Sequence, residues 1–185
     1  INSIIKASGM TAVVLAILVG FTIGHSLHLE HWTSKFFHKL VKALHLGDEH
    51  IDMEFYITAV ALFCCSGFGW YSTLTEGITG DPSLLMSKAV LDFFTAMIFA
   101  STLGAAICAI PIPQVIILFI VFGAGKLLAG VLTPAMFADL SACGGILTMA
   151  AGFRVSKIKS VPLVDLMPAL ILVMPFSLLW TTLMG

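Results

Sequence analysis

The chain has 185 residues, of which 59% are hydrophobic and only 10% charged, with a formal net charge of -1. A water-soluble domain carries roughly 25% charged residues, so 9 basic and 10 acidic side chains exclude a soluble globular protein. The near-neutral balance excludes an electrostatic nucleic-acid binder, and the solvent for most of this surface is lipid.

A bilayer core about 30 Å thick takes about 20 helical residues at a rise of about 1.5 Å each. Apolar runs of that length predict six spans, in chain order 9–27, 54–74, 83–109, 112–132, 134–153 and 161–183. The expected fold is all-α: one polytopic integral membrane helical bundle over 1–185. The breaks fall at Gly77 to Pro82, Pro111 to Pro113, Thr133-Pro134 and Arg154 to Ser160, each marked by Gly, Pro or charge. Between the first two spans, Trp32, Phe36, Phe37, Leu40, Val41 and Leu44 share one helical face, and Lys35, His38, Lys39 and Lys42 the other. That pattern predicts an interfacial amphipathic helix over about 31–46, its aromatic face in the headgroup layer.

Lys35, Lys39 and Lys42 are separated by four spans from Arg154, Lys157 and Lys159, so both groups lie on one side. The positive-inside rule makes loops 28–53 and 154–160 cytoplasmic, and loop 75–82 and the C-terminus external. The first apolar run has no signal-cleavage site, and the opening Ile1 reads as the continuation of a longer protein with helices upstream. Cys64, Cys65, Cys108 and Cys143 lie within apolar runs and read as buried free thiols. All six histidines fall between His25 and His50 and read as solvated loop residues, so no metal or other cofactor is expected. No nucleophile elbow, Walker loop, zincin helix or Rossmann glycine pattern is present, which argues against an enzyme.

A charge at the centre of a transmembrane helix costs about 2.5 to 3.5 kcal/mol even on lenient scales and is a functional-site hypothesis by default. Five occur: Lys88, Asp92, Lys126, Asp139 and Asp165. Counting the rise per residue puts Lys88 roughly 10 Å, Asp92 roughly 16 Å, Asp139 roughly 9 Å and Lys126 about 12 Å from the outer surface. The expectation is therefore one buried layer of two cations and two carboxylates. Asp165, roughly 6 Å from the inner end of its span, is expected to snorkel.

Irregular backbone flanks this layer. In Thr75-Glu76-Gly77-Ile78-Thr79-Gly80-Asp81-Pro82-Ser83, glycines permit positive φ, Asp81 is a good N-cap and Pro82 suits the first helical position. Thr133-Pro134 repeats the arrangement, and Gly144-Gly145 weakens the fifth span just after Asp139 and Ser141. Free N–H groups at such ends bind anions, and Gly/Pro-interrupted spans point to transporter sites.

The stretch TEGITGDPSLLMSKAVLDFFTAMIFASTLG at 75–104 resembles a family of bacterial cytoplasmic-membrane proteins of unknown function, the YqgA and YdfK type, domain-of-unknown-function family 554. ALFCCSGFGW before it, ADLSACGGILTMAAGFRVSKIK at 138–159 and LMPALILVMP near the end are similar to the same family. The resemblance covers nearly the whole chain and implies a polytopic protein of the bacterial inner membrane with further helices upstream. It carries no activity. Where family members have an acidic residue after the glycine of the first run, this chain has His25, so a role for that carboxylate does not transfer.

The expected function is transport of a small solute or ion through the outer half of the membrane. The expected site comprises Asp81, Ser83 and the N–H groups after Pro82 as an anion-accepting helix end, with Lys88 as the positive partner. Asp92 and Asp139 serve as counter-charges or coupling carboxylates, Lys126 completes the balance, and Glu76, Gly80 and Ser141 complete the lining. The alternatives are a structural or assembly protein whose ion pairs specify helix packing, and a channel. Expected partners are the lipid bilayer, the solute or ion and further copies in a homo-oligomer, with no nucleic acid.

Overall fold

The computed structural model describes residues 9–43, 52–64 and 66–184. Its elements are α1 (Met10–Ser26), α2 (Leu29–Ala43), α3 (Met53–Cys64), α4 (Gly67–Thr79), α5 (Ser83–Leu103), α6 (Pro111–Leu128), α7 (Pro134–Val155) and α8 (Pro168–Met184). Short 3-10 turns cover Gly104–Ala109 and Val164–Leu166, and no strand occurs among the described residues. Five helical spans are long and apolar enough to cross a membrane, or six if the bent pair α1 and α2 counts as one. The fold is an all-α membrane bundle.

Small residues recur every fourth position along α1, where Ala12, Ala16, Gly20 and Gly24 are all buried. A Cβ on Gly20 would overlap the backbone of Ala169, and one on Gly24 the backbone of Asp165. The stripe therefore lets α1 lie backbone to backbone against α8 and the turn before it, the usual packing solution where lipid supplies no hydrophobic drive between helices. Val14, Leu15 and Leu18 on the opposite face point outward.

The axis bends by 58° between α1 and α2, where His28 takes a left-handed φ of 51°. In α2, Phe37 and Val41 are buried, the Phe37 ring meeting Tyr56 of α3 at 5.6 Å between centroids. Trp32 and Phe36 face outward. The expected aromatic face is thus divided between protein and surroundings, and residues 44–46 of that expected helix lie outside the described residues.

Together α3 and α4 form one 27-residue span, Met53–Thr79, the most buried of the bundle. It is interrupted at Ser66, whose backbone is extended (φ -61°, ψ 122°). This corrects the expected polar loop at 75–82, because the helix continues to Thr79 and only Gly80, Asp81 and Pro82 connect it to α5. Gly77 is a packing residue rather than a turn residue: a Cβ there would crowd the Phe122 carbonyl of α6. Gly80 makes the turn, ending α4 at φ 74°, a conformation that favours glycine.

Helices α5, α6 and α7 surround α4, while α7 also holds α1 and α8. Gly125 meets Leu74 and Phe122 meets Gly77, so α6 runs antiparallel to α4. α5 and α6 are among the least buried spans and turn Val90, Phe94, Ile98, Ile116, Phe119 and Ile120 outward. The last span starts as a helix at Pro168, after the 3-10 turn, rather than at 161. Cys64 and Cys143 are buried, but Cys108 is exposed, although its neighbours Ile107 and Ala109 in the same turn are buried; the Cys65 side chain lies outside the described residues.

Candidate functional site

The four charges expected in one layer have separate surroundings. Lys88, only 2% exposed, forms an ion pair with Asp92, and Gln114 Nε2 of α6 donates to Asp92 Oδ2 at 2.6 Å. The Lys88 stem crosses α4 at Gly69, where a Cβ would overlap it. Asp139 is fully buried; its Oδ1 accepts the Gly9 N–H at 2.8 Å and its Oδ2 the Ser177 hydroxyl at 2.6 Å. It fastens α7 to the start of α1 and to α8. Lys126 is exposed, its Nζ 4.7 Å above the Phe122 ring, as a cation over an aromatic face. Rise per residue fixes depth along each helix, not the neighbour each side chain faces, which is why one layer becomes three places.

The remaining expected site residues divide similarly. Glu76 lies inside α4, half-buried, with its Oε2 buried and without a hydrogen-bond partner. Gly80 closes α4. Asp81 Oδ1 accepts the Ser83 N–H at 3.0 Å and the Ser83 hydroxyl at 2.5 Å. These bonds hold the exposed Asp81 carboxyl below its ordinary range, the side-chain bond contributing most. The Asp81 carboxylate thus engages the first N–H group of α5 and the Ser83 hydroxyl. Ser141 lines a cavity.

A network missed by sequence reasoning joins α2, α7 and the turn before α8. Asp165, expected to snorkel, is buried at 4% exposure; its Oδ1 accepts the Glu30 N–H at 2.9 Å, and its Oδ2 lies 3.4 Å from His25 Nδ1. Arg154 donates to Glu30 Oε1 at 2.7 Å and to the Val161 carbonyl at 2.8 Å. The signal available was spacing from the helix ends, and the 3-10 turn that carries Asp165 inward leaves no periodicity to read.

Three open cavities lie in order along the interface of the broken span with α7. The first, about 670 Å³, is lined by Phe68, Tyr71, Thr75, Ile78 and Thr79 from α4, by Pro134, Phe137, Ala138 and Ser141 from α7, and by Leu132. The middle one, about 10 Å³, is lined by Ala61, Leu62, Ser66, Leu147, Thr148, Ala151 and Leu163, space for roughly one water. The third, about 260 Å³, is lined by Asp52, Glu54, Phe55 and Thr58 opposite Arg154, Lys157, Lys159 and Ser160. Between the first and second, Gly67 and Gly144 meet: a Cβ on either would overlap the other's backbone.

The interruption at Ser66 supplies polar backbone at this contact. Ser66 gives α4 no side-chain cap, so its first N–H groups lack that partner. The end of α3 is partly satisfied, Trp70 Nε1 donating to the Cys64 carbonyl at 3.0 Å. Lys88 and Asp92 flank the interruption from the α5 side. The arrangement is thus a span broken mid-membrane, with a cavity on each side of a glycine-glycine contact.

The chain matches the family described as "Protein of unknown function (DUF554)" over residues 1–178. It is 41% identical over 186 residues to the uncharacterized protein YqgA of Escherichia coli (strain K12), covering 96% of this chain and 77% of that protein. To the uncharacterized membrane protein YdfK of Bacillus subtilis (strain 168) it is 28% identical over 163 residues, covering 86% of this chain and 66% of that protein. No solved structure matches. The gapless motif at 75–104, the polytopic helical fold and these similarities together place the chain in the DUF554 family, as a helical membrane protein.

Proposed function

We propose that the protein is a transporter, moving a small solute or ion along the interface between the broken span α3/α4 and α7. The observation that carries this reading is the row of cavities, 670, 10 and 260 Å³, divided by the Gly67–Gly144 contact. Discontinuous helices with free backbone groups near the membrane centre are the usual setting for solute and ion sites in transporters. In this reading the structure is a closed state, and the glycine contact is the gate. Lys88, Asp92 and Gln114 brace α5 and α6 against the interruption rather than bind solute, and Ser141 belongs to the outer vestibule. The cavity holding Arg154, Lys157 and Lys159 opens to the cytoplasm by the positive-inside rule.

The test is flux through proteoliposomes carrying the full chain, read with a pH-sensitive dye and with imposed Na⁺, K⁺ and Cl⁻ gradients. Ser141→Trp fills part of the outer cavity and is expected to abolish flux without unfolding the protein. Unchanged flux in that variant overturns the route. The packing reading has its own support, since Lys88, Asp92, Asp139, Arg154 and Asp165 all have protein partners. It predicts that the Lys88→Met with Asp92→Leu variant changes oligomeric state rather than flux.

A further inference from the structure

The 670 Å³ cavity between α4 and the start of α7 differs from the charged cavity at the other end of the row, because no charged side chain is among its described lining residues. Three aromatic rings line it instead. Phe68 and Tyr71 lie one turn apart on α4, and Phe137 of α7 meets Tyr71 edge to face, at 5.8 Å between centroids and 87° between planes. Small-molecule sites are usually clefts of roughly 300 to 1,000 Å³ with apolar and aromatic walls and a few convergent polar groups, and this cavity has that size and that kind of wall.

The polar groups in the wall are unevenly engaged. Thr75 and Thr79 turn their hydroxyls back along α4, donating to the carbonyls of Tyr71 and Thr75 at 2.8 Å each. Tyr71 and Ser141, on opposite walls of the cavity, have hydroxyls that make no hydrogen bond among the described residues. Both residues are half-buried, and neither oxygen is closed off from the surface. A lipid chain lying here would leave both hydroxyls unpaired in hydrocarbon, which is costly. An occupant with a polar group of its own satisfies them, since each hydroxyl both donates and accepts. A charged occupant is disfavoured, because it would give up its hydration with no opposite charge to meet it. A cation would in addition face the positive end of α7, which opens at the lining residue Pro134. The rings select the body of the occupant, since one ring attracts another by more than the area they bury.

We propose that this cavity binds an uncharged, planar aromatic solute carrying a hydrogen-bonding group such as an amide or a phenol, its ring against Phe68, Tyr71 and Phe137 and its polar group at the hydroxyls of Tyr71 and Ser141. That the same molecule is the transported solute rests on the transport reading above and narrows it from a solute or ion to an uncharged solute; the binding site does not depend on that reading.

The test is equilibrium binding of nicotinamide to the full chain in detergent. The comparators are nicotinate, the cation made by methylating the nicotinamide ring nitrogen, and cyclohexanecarboxamide, which change the charge or the ring of the same small body. Nicotinamide is expected to bind saturably, its two charged relatives at least about tenfold more weakly, and the saturated ring about fivefold more weakly. Tyr71→Phe and Ser141→Ala nearly keep the shape of the cavity, and each should weaken nicotinamide binding about fivefold with thermal unfolding unchanged. The inference is overturned if nicotinamide does not bind, if a charged relative or the saturated ring binds as tightly, or if both hydroxyl-deleting variants bind with unchanged affinity. Nicotinamide binding without uptake above that of protein-free liposomes defeats the transport reading and leaves the site standing. Ion flux that Ser141→Trp abolishes, without nicotinamide binding, does the reverse.

Discussion

Lys88 lies inside the bundle because Asp92 lies one turn further along the same helix, and Asp92 is held in turn by Gln114. Removing one member of a buried pair leaves the other charge uncompensated, whereas replacing both with apolar groups of similar volume is often neutral. Lys88→Met alone is therefore expected to cost about 3 kcal/mol of unfolding free energy, and Lys88→Met with Asp92→Leu to recover most of it. Denaturant unfolding in detergent checks this, and equal losses in the single and double variants contradict a bracing role. Asp81 allows a prediction of opposite scale. Its folded-state carboxyl is held below the ordinary range by Ser83, so its contribution to stability is present above that range and disappears as pH falls through the folded value. Asparagine keeps the acceptor but not the charge, so Asp81→Asn should be less stable than the parent at neutral pH and converge with it in acid. A difference that persists at low pH contradicts the assignment.

At the level of elements, the helices were legible because apolar length and amphipathic pattern are properties of sequence alone. Thr133-Pro134 opens α7, with Thr133 Oγ1 accepting the Met136 N–H at 3.3 Å, and the start of α5 lies at Ser83 after Asp81-Pro82. The interruption of the buried span was not legible: ALFCCSGFGW carries neither proline nor charge. What places the break there is tertiary, the crossing of Gly67 on Gly144 and of Gly69 beneath Lys88. The candidate site shows the same division. Lys88 with Asp92 could be read from their spacing of four, but Asp139 with Gly9 and Ser177 joins three distant helices, which no spacing records. Gly67→Val and Gly144→Val should each overpack the crossing at a cost of about 1 to 3 kcal/mol. Because both disturb one contact, the double variant should fall short of the sum. Additive losses, measured as shifts in thermal unfolding, show that the two glycines do not meet.

For the whole molecule, the central claim is that the α3/α4–α7 interface is a path of separate cavities, one of whose separations is the glycine contact. The row of cavities runs from Thr79 and Pro134 at one end to Asp52 and Lys159 at the other, with the glycine contact between the first and second. Neither cavity could be anticipated from composition, since each is lined from helices far apart in the chain. The most direct measurement is side-specific labelling with a membrane-impermeant maleimide in sealed vesicles of known orientation. Single cysteines would be introduced at Thr75, Ser141, Leu147 and Glu54 in a chain whose native cysteines are replaced by alanine. Thr75→Cys and Ser141→Cys are expected to label from the external face only, Glu54→Cys from the cytoplasmic face only, and Leu147→Cys from neither. Labelling of Thr75→Cys and Ser141→Cys from neither face, but readily by a lipid-soluble maleimide, would show that the outer cavity faces lipid rather than water and would contradict the account.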